Sequence, residues 1–156
     1  MLAQAIALLF AAAGPAASCP VDGARYELRD VPGFTASFRE VPDAPSARRL
    51  VLDIRSRATG RLYSFRINRG NGYGEATLLP LGGRSARVLE IYTVNDGGRF
   101  TDFFGDSDAA APRSILIPKL GPALWYEADA LAGEKRSAAT AREEMPRAFF
   151  DRVACG

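Results

Sequence analysis

Histidine is absent from this 156-residue chain. That absence removes Ser-His and Cys-His nucleophilic sites, which need an imidazole as general base, and every imidazole metal site. Only two cysteines occur, Cys19 and Cys155, so a four-sulfur structural zinc site is excluded as well. Lysine is scarce, at 2 residues against 18 arginines. The 20 basic and 18 acidic side chains leave a net charge of +2. A uniformly basic nucleic-acid binder is thereby excluded. The longest apolar run is also too short to span ~30 Å of hydrocarbon as a helix. What remains is ordinary for a folded domain: 47% hydrophobic, 24% charged and 10% aromatic.

Residues 1–18 read MLAQAIALLFAAAGPAAS and carry no charge. The run from Ala5 to Ala13 has the length of a signal-peptide core, and Ala16 and Ser18 are the small residues read before a cut at Cys19. The basic residue usual near Met1 is missing. A buried N-terminal helix is the competing reading, but Gly14-Pro15 interrupts the segment and it has no polar face. The expectation is a cleaved signal peptide over 1–18 and a single globular domain over 19–156, which is 156 less 18, or 138 residues.

Cys19 would then open the mature chain, and Cys155 is its second-last residue. A disulfide between them is the preferred reading, in a periplasmic or extracellular setting. The alternative is a lipoprotein anchored at Cys19, because Ala16-Ala17-Ser18-Cys19 loosely resembles a bacterial lipobox. Alanine stands where that motif usually has leucine, and lipidation would leave Cys155 unpaired. A membrane is an expected partner only in that lipidated form.

From Ala24 to Ile117 the chain reads as short strands between turns. The segments are Ala24–Leu28, Phe34–Arg39, Leu50–Arg55, Leu62–Asn68, Glu75–Leu79, Arg87–Val94, Phe100–Phe104 and Ser114–Ile117. Leu50, Leu52 and Ile54 alternate with Val51, Asp53 and Arg55, and on the return Tyr63, Phe65 and Ile67 alternate with Ser64, Arg66 and Asn68. Facing residues must share a side of the sheet, so an even-length loop is required. A two-residue loop at Thr59-Gly60 would pair Ile54 with Phe65, Leu52 with Ile67 and Asp53 with Arg66. Toward the C-terminus, Pro122 to Ala132 reads as a helix ended by Gly133, with Leu124, Trp125, Ala128, Leu131 and Ala132 on one arc. A second helix is expected between Thr140 and Val153. Thr140 and Glu143 fit a capping box, Met145, Phe149 and Val153 recur every fourth residue, and Pro146 kinks or starts the helix. The expected fold class is α+β: an antiparallel meander of about 6–8 short strands with one or two C-terminal helices packed on the sheet.

Several motifs fail on inspection. Gly105-Asp106-Ser107 resembles the nucleophile block of GDS-type lipases and esterases, but the required histidine is missing. Gly70-Asn71-Gly72-Tyr73-Gly74 follows a strand as a phosphate loop would, yet another strand follows where a helix is needed. Glu90, Asp96, Asp102, Asp106 and Asp108 are acidic but lack calcium-loop spacing. No catalytic residue, metal or cofactor is assigned.

The distinctive feature is arginine. Between Arg48 and Arg69 stand seven arginines and one acid, Asp53, giving +6. Arg55, Arg57, Arg61, Arg66 and Arg69 form a candidate surface for an anionic partner, such as a lipid headgroup layer, a cell-wall polymer or an acidic protein. A solvated sheet face in an arginine-rich chain is the competing explanation. Three functions follow. The preferred one is a non-catalytic binding or interaction module with a basic hairpin face. The alternatives are an apolar-ligand carrier with a pocket lined by Phe65, Tyr92 and Phe103, and a carboxylate-dependent glycan-acting enzyme.

Overall fold

The computed structural model describes residues 19–42, 50–69, 76–82, 84–101, 109–134 and 142–155, with the backbone alone at Arg69. The proposed signal segment, Arg48, Arg49, the 70–74 glycine run, the 105–107 block, Phe103, Asp102 and Thr140 lie outside these residues.

Nine strands and one helix are described. The strands are β1 (Arg25–Leu28), β2 (Phe34–Glu40), β3 (Leu50–Ser56), β4 (Leu62–Arg69), β5 (Ala76–Pro80), β6 (Leu89–Val94), β7 (Phe100–Thr101), β8 (Ser114–Leu116) and β9 (Phe150–Ala154). The helix α1 spans Leu120–Leu131, between β8 and β9. All pairings are antiparallel. The strand order is β5-β4-β3-β2-β1-β9-β8-β6, and β5 also pairs with β6. The sheet therefore closes on itself as an eight-stranded barrel, with β7 paired to β6 as a short addition.

This corrects the α+β expectation. The strand segments read between turns lie within about two residues of β1–β6 and β8, but closure turns the apolar face of the sheet inward, out of reach of helices packed on a sheet face. Among the described residues the second C-terminal helix is absent. Residues 142–149 run without regular structure, and Phe150–Ala154 forms the strand that joins β1 to β8. Four-residue spacing suggested a helix, yet here the ladder partners on two neighbouring strands decide the backbone. Phe150 enters the barrel at 1% exposure while Phe149 stays outside, beneath the Arg29 guanidinium at 5.0 Å.

Inward-facing side chains fill the barrel, as eight strands leave room for little else. Tyr26, Phe38, Leu52, Ile54, Tyr63, Phe65, Leu78, Leu89, Ile115 and Phe150 are all fully buried. The β3–β4 register keeps the required parity but is displaced by two residues from the expected one. Leu52 faces Phe65, Ile54 faces Tyr63, and Asp53 faces Ser64 rather than Arg66. The cause is a four-residue loop over 57–60: the Ser56 N–H donates to the Arg61 carbonyl, the Gly60 N–H donates back to Ser56, and Gly60 takes φ of 73°.

The two barrel ends are closed differently. At one, Cys19 is bonded to Cys155 with Cα atoms 5.4 Å apart, and the Ala111 N–H donates to the Cys19 carbonyl. Val21 and Ala24 join the core there. At the other, α1 lays Leu120, Ala123, Leu124, Ala128 and Leu131 over the barrel. Trp125 was expected inside but is 37% exposed, stacked under Arg142 at 5.0 Å. Glu127 leaves helical geometry, so the apolar arc of a straight helix does not apply along the whole segment. The 142–146 strap crosses this end. Buried Glu143 accepts from Ser56 Oγ at 2.8 Å, from Tyr63 Oη at 3.1 Å, and from Thr59 Oγ1. A Cβ on Gly121 would run into the Met145 carbonyl oxygen, so the strap lies directly on the helix start.

Candidate functional site

Alternation in a barrel strand sends odd and even residues to opposite faces. In β1, Tyr26 and Leu28 point in, so Arg25 and Glu27 point out. In β2 the outward pair is Thr35 and Ser37, and in β3 it is Asp53 and Arg55. Register aligns them in two rows. Arg25 faces Ser37, which faces Asp53; Glu27 faces Thr35, which faces Arg55. Two hydroxyl residues thus lie between charged residues of opposite sign, with the order of signs reversed from one row to the next.

These rows floor an outer groove of about 400 Å³. Arg57 and the apolar side chains of Leu62 and Val153 also line it. Both acids are already matched. Arg57 donates to Glu27 Oε1 at 2.5 Å, and Arg39 donates to Asp53 Oδ2 at 2.6 Å. Ser64 donates to the other Asp53 oxygen at 2.5 Å. Among the described residues Arg25 and Arg55 have no ion-pair partner; Arg55 makes a single 3.3 Å bond to the Gly60 carbonyl. Two guanidiniums without an ion-pair partner among the described residues therefore stand at diagonal corners of the floor. Strand spacing and rise put their Cα atoms ~12 Å apart.

The arginines singled out in the sequence do not form one surface. Arg55 and Arg57 line the groove. Arg61 turns to the helix-covered end, 2.9 Å from Asp129 and 3.2 Å from Glu134. Arg66 sits opposite Val51 and Leu79, two rows along the barrel from Arg55. The side chain of Arg69 is outside the described residues. Arg25 was missed. The alternation Arg25-Tyr26-Glu27-Leu28 already marked it as outward, but its position near Arg55 depends on β2 lying between β1 and β3.

The other expected sites separate similarly. Phe65 is in the barrel core while Tyr92 is 45% exposed and packs edge-on against Phe100, so the two do not share a pocket. Asp96 pairs with Arg152 at 2.7 Å, and Glu90 with Lys119 at 3.8 Å. Among the described residues no helix is long and apolar enough to cross a membrane. The disulfide is present and fits an oxidising compartment outside the cytoplasm. It also occupies the Cys19 sulfur that lipidation would require.

The site is thus a polar, arginine-flanked groove on the outside of a closed antiparallel barrel. No family model, no curated protein and no solved structure matches the chain.

Proposed function

We propose that this protein is an exported, non-catalytic binding module whose outer groove holds an anionic partner. The observation that carries this reading is the pair Arg25 and Arg55, without ion-pair partners among the described residues, on one groove floor whose acids already have arginine partners. Arg forks suit carboxylate and phosphate oxygens. Export is supported by the Cys19–Cys155 bond together with the charge-free 1–18 segment. Glu27 and Asp53 do not favour a glycoside-cleaving centre: their Cα atoms are ~12 Å apart by strand spacing, and each is engaged by an arginine. No metal or cofactor enters this reading.

The test is binding of the disulfide-bonded protein to an immobilised acidic polymer across a salt series. Binding should weaken as salt rises, since exposed charges are screened over ~10 Å at about 0.1 M. Reversal of Arg25 and Arg55 to Glu should abolish it, whereas reversal of exposed Arg99 and Arg147 should not. Equal loss from both pairs, or no binding by the unaltered protein at low salt, would reject the groove as an anion site.

A further inference from the structure

Resting on that anion-binding reading, we infer that the groove's occupant is an acidic oligosaccharide, with carboxylates on Arg25 and Arg55 and sugar hydroxyls on the floor between them. The argument comes from what lies between the two cations. A site for a bare polyanion gains from every added cation and loses from every carboxylate. This floor instead holds Thr35 and Ser37, whose hydroxyls both donate and accept, and it keeps two carboxylates. Glu27 Oε2 has no partner among the described residues, while Oε1 takes Arg57. The Glu27 side chain is solvent-exposed, and this oxygen can accept a hydrogen bond from a ligand. A phosphate polymer has no donor to offer it and is repelled; a sugar hydroxyl is a donor.

The flanks agree with this chemistry. Leu62 and Val153 are 40% and 58% exposed at the groove and present apolar surface to the C–H faces of a sugar ring. The diagonal placement of Arg25 and Arg55 selects a ligand with separated charges over one compact anion. A chain of uronic acids carries one carboxylate per residue with hydroxyls between, which is the pattern the floor displays.

Isothermal titration of the disulfide-bonded protein with three probes decides the matter: hexagalacturonate, neutral maltohexaose and a six-phosphate polyphosphate. Hexagalacturonate should bind most tightly, despite carrying less charge per length than polyphosphate. Arg25→Ala and Arg55→Ala should each weaken it about tenfold, the scale of one charge-assisted hydrogen bond. Thr35→Val with Ser37→Ala, which changes no charge, should weaken it about fivefold. Circular dichroism and Tm confirm that each variant is folded. Polyphosphate binding as tightly as hexagalacturonate, or indifference to the hydroxyl-free double variant, would overturn the saccharide inference and leave the anion reading standing. Maltohexaose matching hexagalacturonate, or no binding of either anion, would overturn both.

Discussion

Removing the Glu143 carboxylate should loosen the strap from the barrel end and destabilise the whole domain. Three hydroxyls donate to this side chain, and two of them, on Ser56 and Tyr63, belong to residues with no solvent exposure. Thr59 is exposed and regains water when the carboxylate is lost. The cost of Glu143→Ala is therefore dominated by two buried O–H donors left without an acceptor, at roughly 1–3 kcal/mol each, while the Ser56 oxygen keeps the Thr59 N–H and the Tyr63 oxygen keeps Arg61. Relief of the carboxylate's own burial offsets part of this, which leaves about 2–4 kcal/mol. With ~2.1 cal/mol/K per residue of unfolding entropy, 3 kcal/mol lowers the Tm of a domain this size by about 10 °C. The single tryptophan is a built-in probe, because Arg142, the strap residue before Glu143, covers Trp125. Its emission should shift to the red in the folded variant. A double-mutant cycle with Tyr63→Phe should show a coupling of about 1–2 kcal/mol. Additive effects, with coupling below ~0.3 kcal/mol, or a Tm loss under ~3 °C, would refute the claim that Glu143 anchors the strap.

Phe150→Ala should cost ~3–5 kcal/mol, because it empties a fully buried barrel position, while Phe149→Ala should cost well under half of that; similar losses in urea melts would contradict the assignment of β9. Replacing Cys19 and Cys155 with Ser reopens a loop of 136 residues. The chain-entropy model assigns such a loop about 5 kcal/mol, so Tm should fall by about 15–20 °C with native circular dichroism retained at low temperature. Acid should also destabilise the fold. The Arg87 hydrogen bond holds the Glu127 carboxyl below its ordinary range, and the Arg29 hydrogen bond does the same for Asp151. A carboxylate with a depressed folded pKa binds fewer protons folded than unfolded. Its stabilisation is thus present above the unfolded carboxylate range and is lost as pH falls through the depressed folded value. Denaturant midpoints measured from pH 6 to pH 2 should decline, and Arg87→Gln should flatten the decline.

Local patterning determined a good deal of this protein. Short β-prone runs between turn residues located β1 to β6 and β8, and period-two alternation in the Leu50–Asn68 hairpin marked its inward faces, since a strand with one wet and one dry face writes that pattern into its residues. An even cysteine count in a chain expected to be exported pointed to a Cys19–Cys155 bond, and that bond is present. Helix signals at Pro122 and Gly133 lie close to the ends of α1. Other features needed the tertiary structure, because their causes are distant in the chain. β9 is a strand because β1 and β8 offer ladder partners on both its sides, and local periodicity in Met145, Phe149 and Val153 carries no trace of them. Closure follows from β5 meeting β6 while β9 meets β1, a property of the whole sheet. Parity limited the β3–β4 register to alternate choices, but the Gly60 turn selected among them. The candidate site has the same division. Charge and outward orientation were legible for Arg25 and Arg55 one strand at a time. Their meeting on one floor, and the loss of Arg61 to Asp129 and Glu134, depend on which strands and helices become neighbours.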